Sequence, residues 1–401
     1  MEEAVPYVPN RAISHKQEMI PVSTSSQSTI EITQIVPGGF GLGRDNGRVI
    51  LVPLTAIGDQ AAITVSAGEV HGRLIDVVTP GQDRIEAVCP HFGECGGCDF
   101  MHLSYPAQLS AKSAMIADAM RRNGGFHDLE PVTVVPSPDP FAYRLRATWR
   151  PAPGGGAGYL RRDSHEVIDI TTCPILVPTL ETARKATAPH DTIQALTNGR
   201  DISIAESDGE AGPIAISVGE FTFLARADIF FQANNLLLER FANEVVSAAA
   251  VRAEERVQDL FCGLGLFSLP LSRQAATVDA VDSDEATVLL GIENASRNGI
   301  TNCAFQALSV ETWLKNCPPA DVTVIDPPRS GLSKFAAMTI PAKTRRRLVY
   351  VSCDPVTFAR DARRLENGGL RLTNLAAYDM FPQTHHVELV ATFDRKNRRF
   401  R

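Results

Sequence analysis

The chain has 401 residues, 44% of them hydrophobic and 21% charged, a composition typical of a globular protein with about two or three domains. The net charge of -7 argues against nucleic-acid binding by the whole surface, but it allows a local basic patch. No apolar run of about 18 residues occurs, so we expect no membrane span. The N-terminal residues are acidic and lack an apolar core, which predicts no signal peptide and a cytoplasmic location.

The elements change character along the chain. Residues 1–28 are polar and aperiodic, which predicts disorder. Residues 29–80 contain short β-branched runs separated by Gly-containing turns, and we predict a small all-β barrel of the OB type. Residues 81–228 are predicted to form a central α+β domain that carries a Cys cluster, with a helix over 105–123. From 229 to 401, strands and helices alternate, which predicts a doubly wound, Rossmann-like α/β domain ending in an antiparallel hairpin.

A basic segment lies between residues 140 and 162, where no acidic residue occurs. Its arginines are Arg144, Arg146, Arg150, Arg161 and Arg162, and its interleaved aromatic residues are Tyr143, Trp149 and Tyr159. Arginines contact phosphates, and aromatic rings stack on unpaired bases. We therefore predict that this segment contacts nucleic acid, with a solvated surface as the alternative.

A candidate cofactor pocket follows the first strand of the α/β region, in RVQDLFCGLGLFSLPL. Gly263 and Gly265 allow the backbone to approach a ligand at the carboxyl end of that strand. The next strand ends in Asp282, where a carboxylate can hydrogen-bond ribose hydroxyls. The turn lacks the full G-x-G-x-x-G pattern, which disfavours a dinucleotide. It resembles the first motif of class I methyltransferases that depend on S-adenosyl-L-methionine, and in particular the branch that makes 5-methyluridine in RNA.

A candidate nucleophile, Cys353, follows an apolar strand and precedes a helix in YVSCDP. A thiol near a helix N-terminus has a lowered pKa, so we predict a reactive Cys353, with an inert buried thiol as the alternative. Asp326 ends another strand, in DPPRSG, and Glu388 begins the last one. We expect partial desolvation to raise the pKa of Glu388 towards neutrality.

The chemistry of uracil requires such groups. Carbon 5 is a poor nucleophile towards a sulfonium methyl group, and thiolate addition at carbon 6 raises its electron density. After methyl transfer a base removes the proton on carbon 5, and the thiolate leaves. A Cys, a donor near the polar edge of the ring and a general base are therefore needed.

Five motifs over residues 229–392 together resemble the RNA uracil-5-methyltransferase family: FFQAN, DLFCGLG, DPPRSG, YVSCDP and DMFPQTHHVE. The resemblance implies that Cys353 is the nucleophile and Glu388 the base. The candidate contacts of S-adenosyl-L-methionine are Gln232, Phe261, Gly263, Asp282 and Asp326. The chain departs from the family pattern at Leu266, where Asn is frequent, and in QALSVE after the third strand.

Three cysteines, Cys89, Cys95 and Cys98, are spaced C-x5-C-x2-C, and Cys173 is a candidate fourth ligand. Thiolates at this spacing suit either a [4Fe–4S] cluster or zinc. CPHFGECGGC followed by HLSYPAQL resembles the iron–sulfur site of the ribosomal-RNA members of the family, which implies [4Fe–4S]. The turn GGFGLGR resembles that of a TRAM domain, an RNA-binding module of the OB type. Both additions favour 23S ribosomal RNA as the substrate, with transfer RNA as the alternative.

Three other functions fit these residues less well than methylation of uracil does. A methyltransferase acting on a purine nitrogen would use an N/D-P-P-[FYW] motif and would need no Cys. A non-catalytic RNA-binding protein with a relic domain would not need Cys353, Glu388 and Gln232 intact. A radical S-adenosyl-L-methionine enzyme would carry C-x3-C-x2-C, which is absent from this sequence. We expect a monomer that binds RNA and no membrane.

Overall fold

The computed structural model describes residues 25–207 and 209–396, which form two five-stranded sheets, one eight-stranded sheet and a two-stranded hairpin. Within these ranges no helix is long and apolar enough to cross a membrane. The segment predicted to be disordered is 1–28, and its residues 1–24 lie outside the described residues. Residues 25–28 belong to the first strand, so that part of the prediction is wrong.

The N-terminal sheet is all-β, as predicted. Its strands are β1 (Ser25–Val36), β2 (Phe40–Asp45), β3 (Arg48–Val52), β4 (Gln60–Ser66) and β5 (Arg73–Thr79). They pair antiparallel in the order β3-β2-β1-β4-β5, and alternate side chains such as Ile32, Ile50 and Ile63 are buried on one face. A bridge between Leu51 and His71 joins β3 to the residues that lead into β5, so the sheet curls around its apolar face. Its identity as a TRAM module stays a prediction.

The central segment supplies the second five-stranded sheet, of order β11-β10-β7-β8-β9, and a hairpin of β12 and β13. Its elements are α1 (Tyr105–Arg122), β6 (Val134–Val135), β7 (Arg146–Pro151), β8 (Ala157–Leu160), β9 (Val167–Ile168), α2 (Pro178–Ala186), β10 (Ile193–Thr197), β11 (Ile202–Glu206), β12 (Ile214–Val218) and β13 (Phe221–Ala225).

The basic segment lies largely in this second sheet, and part of its prediction is wrong. Tyr143 and Trp149 are completely buried and cannot stack on bases. The alternation of β7 directs Trp149 into the core, and the hydroxyl of Tyr143 donates to the carbonyl of Pro382 at 2.9 Å. Arg161 and Arg162 form ion pairs within the protein, the latter with Asp99 at 2.9 Å.

The eight-stranded sheet is built mainly from the last part of the chain. The elements of that part are α3 (Leu238–Ala249), β14 (Arg256–Leu260), α4 (Ser268–Ser272), β15 (Thr277–Asp282), α5 (Glu285–Arg297), β16 (Cys303–Ala307), α6 (Val310–Asn316), β17 (Ala320–Ile325), α7 (Lys334–Lys343), β18 (Thr344–Ser352), α8 (Pro355–Asn367), β19 (Leu370–Tyr378) and β20 (Glu388–Arg395). The strand order is β16-β15-β14-β17-β18-β20-β19-β6.

The sheet is doubly wound, as predicted. Strands β14 to β18 are parallel, while β20 runs antiparallel to both of its neighbours, β18 and β19. Two apolar cores cover its faces, one with α3, α4 and α5 and the other with α1, α6, α7 and α8. The chain moves outward from β14 through β15 to β16, then returns to β17 on the other side of β14. Ligands of such sheets bind where the order reverses, beyond the carboxyl ends of these strands.

Two elements of the central segment also belong to this sheet. Strand β6 pairs with β19 through Val134 and Val135, and α1 packs on α8. Arg363 on α8 donates to the carbonyls of Gly124 and Gly125, just after α1, at 2.6 and 2.7 Å. The predicted boundary at 228 therefore does not separate two independent cores, because the buried core of the large sheet includes residues of α1 and β6.

Candidate active site

The carboxyl ends of four parallel strands meet at one edge of the large sheet. In spatial order these strands are β15, β14, β17 and β18. Asp282 ends β15, Phe261 follows β14, Asp326 follows β17, and Cys353 follows β18. The N–H of Asp326 donates to the carbonyl of Leu260 at 3.3 Å, which joins the ends of the two central strands. The structure therefore brings four of the sequence-predicted site residues to the edge where the strand order reverses.

Glu388 reaches the same edge because β20 runs in the opposite direction. Ser352 at the end of β18 pairs with Leu389 near the start of β20. Cys353 comes directly after Ser352 and Glu388 directly before Leu389, so the two residues lie at the same edge of the sheet. Both residues interact electrostatically with Asp326. The predicted nucleophile, the predicted base and the DPPR aspartate thus form one cluster.

The glycine turn after β14 is shaped for a ligand. Gly263 has a φ of +54°, and a Cβ placed on it would meet no heavy atom within 4 Å. Its N–H donates to the carboxylate of Asp282 at 3.0 Å. Gly265 has a φ of +96°, and a Cβ there would lie 2.7 Å from Leu269, so this glycine serves packing. The open space over Gly263 leaves the backbone accessible, as a closely bound cofactor requires.

Two of the sequence motifs each carry a buried side-chain oxygen that has no hydrogen-bond partner among the described residues. They are Oε1 of Gln232, which is 4% exposed, and Oδ1 of Asp259, which is completely buried in β14. Burial raises the pKa of Asp259 to about 7, although the hydroxyl of Ser268 donates to its other oxygen at 2.5 Å. Asp259 was not among the sequence-predicted site residues, although its place in DLFCG was a usable signal. Unpaired buried oxygens are costly unless a ligand or water satisfies them.

The segment of Gln232 also touches the loop that leads into Glu388. Asn234 donates to the carbonyl of Met380 at 3.2 Å and to the hydroxyl of Ser137 at 3.2 Å. Gln232 therefore lies two residues from a contact with that loop.

Burial and carboxylates control the ionisation of the cluster. Burial raises the pKa of Asp326 to about 8, and the charge of Asp259 adds to the shift. Burial, followed by the charge of Asp326, raises the pKa of Glu388 well above its ordinary value, in the direction expected from the sequence. The low pKa predicted for Cys353 is wrong. Burial, then the charges of Glu388 and Asp326, raises the pKa of its thiol to about 12.

A cationic neighbour partly opposes this effect. Arg329, of the DPPR motif, lowers the pKa of both Glu388 and Cys353, and its guanidinium contacts the ring of His386 at 2.9 Å. Burial, with the charges of His385 and Arg329, lowers the pKa of His386 to about 3, so its ring is neutral at pH 7. Neither Arg329 nor His386 was among the sequence-predicted site residues, although they lie in the DPPRSG and DMFPQTHHVE motifs.

The four cysteines of the predicted cluster line one cavity of about 170 Å³. Burial raises the pKa of Cys173 to about 11 and also raises the pKa of Cys98, to whose shift the thiol of Cys173 adds. The remaining two, Cys89 and Cys95, line the same cavity. Within the described ranges no three His, Cys, Asp or Glu side chains are placed to hold a single metal ion. The metal site therefore stays a prediction.

Comparison with known proteins gives matches over nearly the whole chain. A family model described as tRNA (Uracil-5-)-methyltransferase matches residues 211–318 and 314–396. An uncharacterized RNA methyltransferase of Gloeobacter violaceus is 32% identical, over 92% of this chain and 96% of that protein. The 23S rRNA (uracil(1939)-C(5))-methyltransferase RlmD of Pectobacterium carotovorum is 31% identical, over 96% of this chain and 97% of that protein.

A solved structure shares the fold. The Pyrococcus abyssi tRNA (uracil-54, C5)-methyltransferase, in complex with S-adenosyl-L-homocysteine, superposes with a TM-score of 0.71 at 23% identity, and the match covers 92% of this chain and all of that chain. The sequence identity to full-length relatives, together with the family model, shows that this chain belongs to the RNA uracil-5-methyltransferase family.

Proposed function

We propose that this protein methylates carbon 5 of a uridine in RNA through a covalent adduct with Cys353, with S-adenosyl-L-methionine as methyl donor. The observation that carries the proposal is the cluster of Cys353, Glu388 and Asp326 where the strand order reverses. Ribosomal RNA of the 23S type is the favoured substrate, because relatives that match nearly the whole chain are named for it. Transfer RNA is the second candidate, because the family model bears that name.

The residues present fit the methyl donor. The open space over Gly263 and the unpaired Oε1 of Gln232 provide a cradle and a polar contact. Asp282 and Phe261 complete the walls from β15 and β14. When bound, the donor supplies the methyl group and a positive sulfonium charge, which favours ionisation of Cys353 beside two carboxyl groups.

The covalent steps balance around Cys353 and Glu388. The thiolate of Cys353 adds to carbon 6 of uracil, and the electrons of the 5,6 double bond move onto the oxygen at position 4. The carbonyl re-forms as carbon 5 takes the methyl group, and the electron pair of the broken S–CH3 bond stays on the sulfur of the donor, which would leave as the neutral thioether. Glu388 then takes the proton from carbon 5. The electron pair of that C–H bond restores the double bond, and the C–S bond breaks to return the thiolate.

Asp326 is the donor that the enolate needs. With a pKa of about 8 its carboxyl holds its proton at pH 7 and donates a hydrogen bond to the oxygen at position 4. The charge of an ionised Asp326 opposes ionisation of Glu388, so a proton on Asp326 favours the ionised form of Glu388 that a base requires. One carboxyl then acts as the acid and the other, Glu388, as the base.

We assign the cysteine-lined cavity to a [4Fe–4S] cluster with a structural role. Zinc needs four donors about 2.3 Å from one point. The four thiols instead surround a cavity of about 170 Å³, more than one ion fills. In a cluster each iron takes one thiolate, so the ligands stand farther apart.

The reaction and its nucleophile are tested together. Anaerobically purified protein should transfer labelled methyl groups to an unmodified 23S transcript, and nucleoside analysis should give 5-methyluridine, with less from transfer RNA. Cys353→Ala should lower the rate by about 10³-fold or more while S-adenosyl-L-methionine still binds. The control Cys303→Ala, at the opposite end of the strands, should keep turnover. Full activity of Cys353→Ala would exclude the covalent mechanism.

Replacing the base should stop the reaction after methyl transfer. Glu388→Gln keeps the shape of the side chain but accepts no proton, so the methylated RNA stays bound to Cys353. Denaturing gels should show a protein–RNA adduct that accumulates with time. Glu293→Gln, exposed on α5, should show none. Normal turnover of Glu388→Gln would remove Glu388 from the role of base.

The raised thiol pKa predicts a pH dependence. In the ligand-free protein, alkylation of Cys353, followed by mass spectrometry, should increase about tenfold per pH unit between pH 7 and 9, because the thiolate fraction rises towards a pKa of about 12. Asp326→Asn removes a neighbour that becomes negative above about pH 8, so alkylation of this variant should exceed that of the wild type towards pH 9. An unchanged profile in Asp326→Asn would show that Asp326 does not control the thiol.

The metal assignment is tested by composition. Anaerobically isolated protein should contain about four iron and four sulfide per chain, and Cys173→Ser should lower both. Cys303→Ser, whose side chain is outside the cavity, should leave them unchanged. Stoichiometric zinc with no sulfide would refute the cluster.

A further inference from the structure

The loop of residues 379–387 joins β19 to β20 and ends directly before Glu388. We call it the base-bearing loop. Within it Gln383 has a φ of +68°, a conformation that residues with a Cβ rarely adopt, and its side chain is 3% exposed. A strained, buried residue persists only where its surroundings fix it, and such residues concentrate at functional sites.

Gln108 on α1 fixes Gln383 through a reciprocal amide pair. Its Nε2 donates to Oε1 of Gln383 at 3.0 Å, and its Oε1 accepts the backbone N–H of Gln383 at 2.9 Å. Gln108 is itself 1% exposed, and its Nε2 also donates to the carbonyl of Leu103 at 3.0 Å. Both ends of one amide are therefore used to hold the backbone and the side chain of the strained residue.

Other contacts from the same stretch of chain hold the loop at further points. The carbonyl of Gln383 accepts the N–H groups of Asp99 and Phe100, both at 2.9 Å. Lys112 is completely buried, forms an ion pair with Asp379, and donates to the carbonyl of Phe381 at 3.0 Å. Residues 99–112 thus form hydrogen bonds and an ion pair with the base-bearing loop along most of its length.

We propose that Gln108 is a positioning residue for the base. By fixing Gln383 it sets the path of the last residues before Glu388, and so the direction from which the carboxylate meets the proton on carbon 5. The inference rests on the proposed function. It assigns to a residue of the central segment an effect on one step, proton removal, and not on RNA or cofactor binding.

The test compares Gln108→Ala and Gln383→Gly with Ser110→Ala, an exposed position on the same helix. Gln383→Gly keeps the backbone N–H and adopts positive φ without strain, so it folds even if the loop is loosened. Turnover, KM for RNA, thermal unfolding and the fraction of protein in a gel-stable RNA adduct are measured for each.

Gln108→Ala and Gln383→Gly should each lower kcat by about 10- to 100-fold, as for a catalytic group displaced by about 1 Å. The KM for RNA should stay within about twofold of the wild-type value. The adduct should accumulate, because methyl transfer outpaces proton removal. The double variant should be no slower than the slower single one, since both changes break the same pair. Ser110→Ala should match wild type.

The outcomes separate the two proposals. Wild-type protein that makes no 5-methyluridine would overturn the proposed function, and the inference with it. If the wild type is active, a full kcat in both Gln108→Ala and Gln383→Gly would overturn the positioning role of Gln108 and leave the proposed function standing. Slow variants without adduct would do the same, because a loss of general stability lowers all steps together.

Discussion

The reversal of β20 between β18 and β19 is the constraint on which the site depends. A parallel β20 would begin at the opposite edge of the sheet, and its eight residues would separate Glu388 from Cys353 by about 25 Å. In the antiparallel arrangement, Ser352 pairs with Leu389 and both chemical groups lie at one edge. The strand order then adds the glycine turn of β14 and Asp326 of β17, because these strands are the next neighbours. Strand pairing thus brings the nucleophile, the base and the cofactor turn together, although they are spread over more than 100 residues of the chain.

The proximity of these groups also raises the pKa values of Cys353 and Glu388. Two carboxyls and a thiol at one buried edge each disfavour ionisation of the others, and Arg329 offsets only part of this. The helix N-terminus, which suggested a low thiol pKa, is capped by Asp354, whose carboxylate accepts the N–H of Thr357 at 2.8 Å and adds a further negative charge beside Cys353. A resting site of this kind keeps its protons until a cationic ligand arrives, which fits a reaction that starts only with the donor in place.

Local patterns were sufficient for part of this structure. The alternation of strands and helices, the glycine turn, and the strand ends at Asp282, Asp326 and Cys353 could be predicted because each depends on a few adjacent residues. What could not be predicted depends on distant pairing. Trp149 looked like a base-stacking residue among arginines, yet the pairing of β7 with β10 on one side and β8 on the other places its ring in a core. Likewise nothing in the spacing indicated that Gln108 meets Gln383, 275 residues away.

These distant contacts connect the central segment to the loop that precedes Glu388. The chain passes from the cysteine-lined cavity at Cys98 directly to Asp99, whose carboxylate contacts the ring of His385 at 2.6 Å. Arg162 donates to both the carbonyl of Cys98 and the carboxylate of Asp99. Any group that holds the cysteines in place therefore also fixes one side of the base-bearing loop. The segment that carries the cysteines thus reaches the residues directly before Glu388 across 286 positions of the chain, through the contact of Asp99 with His385.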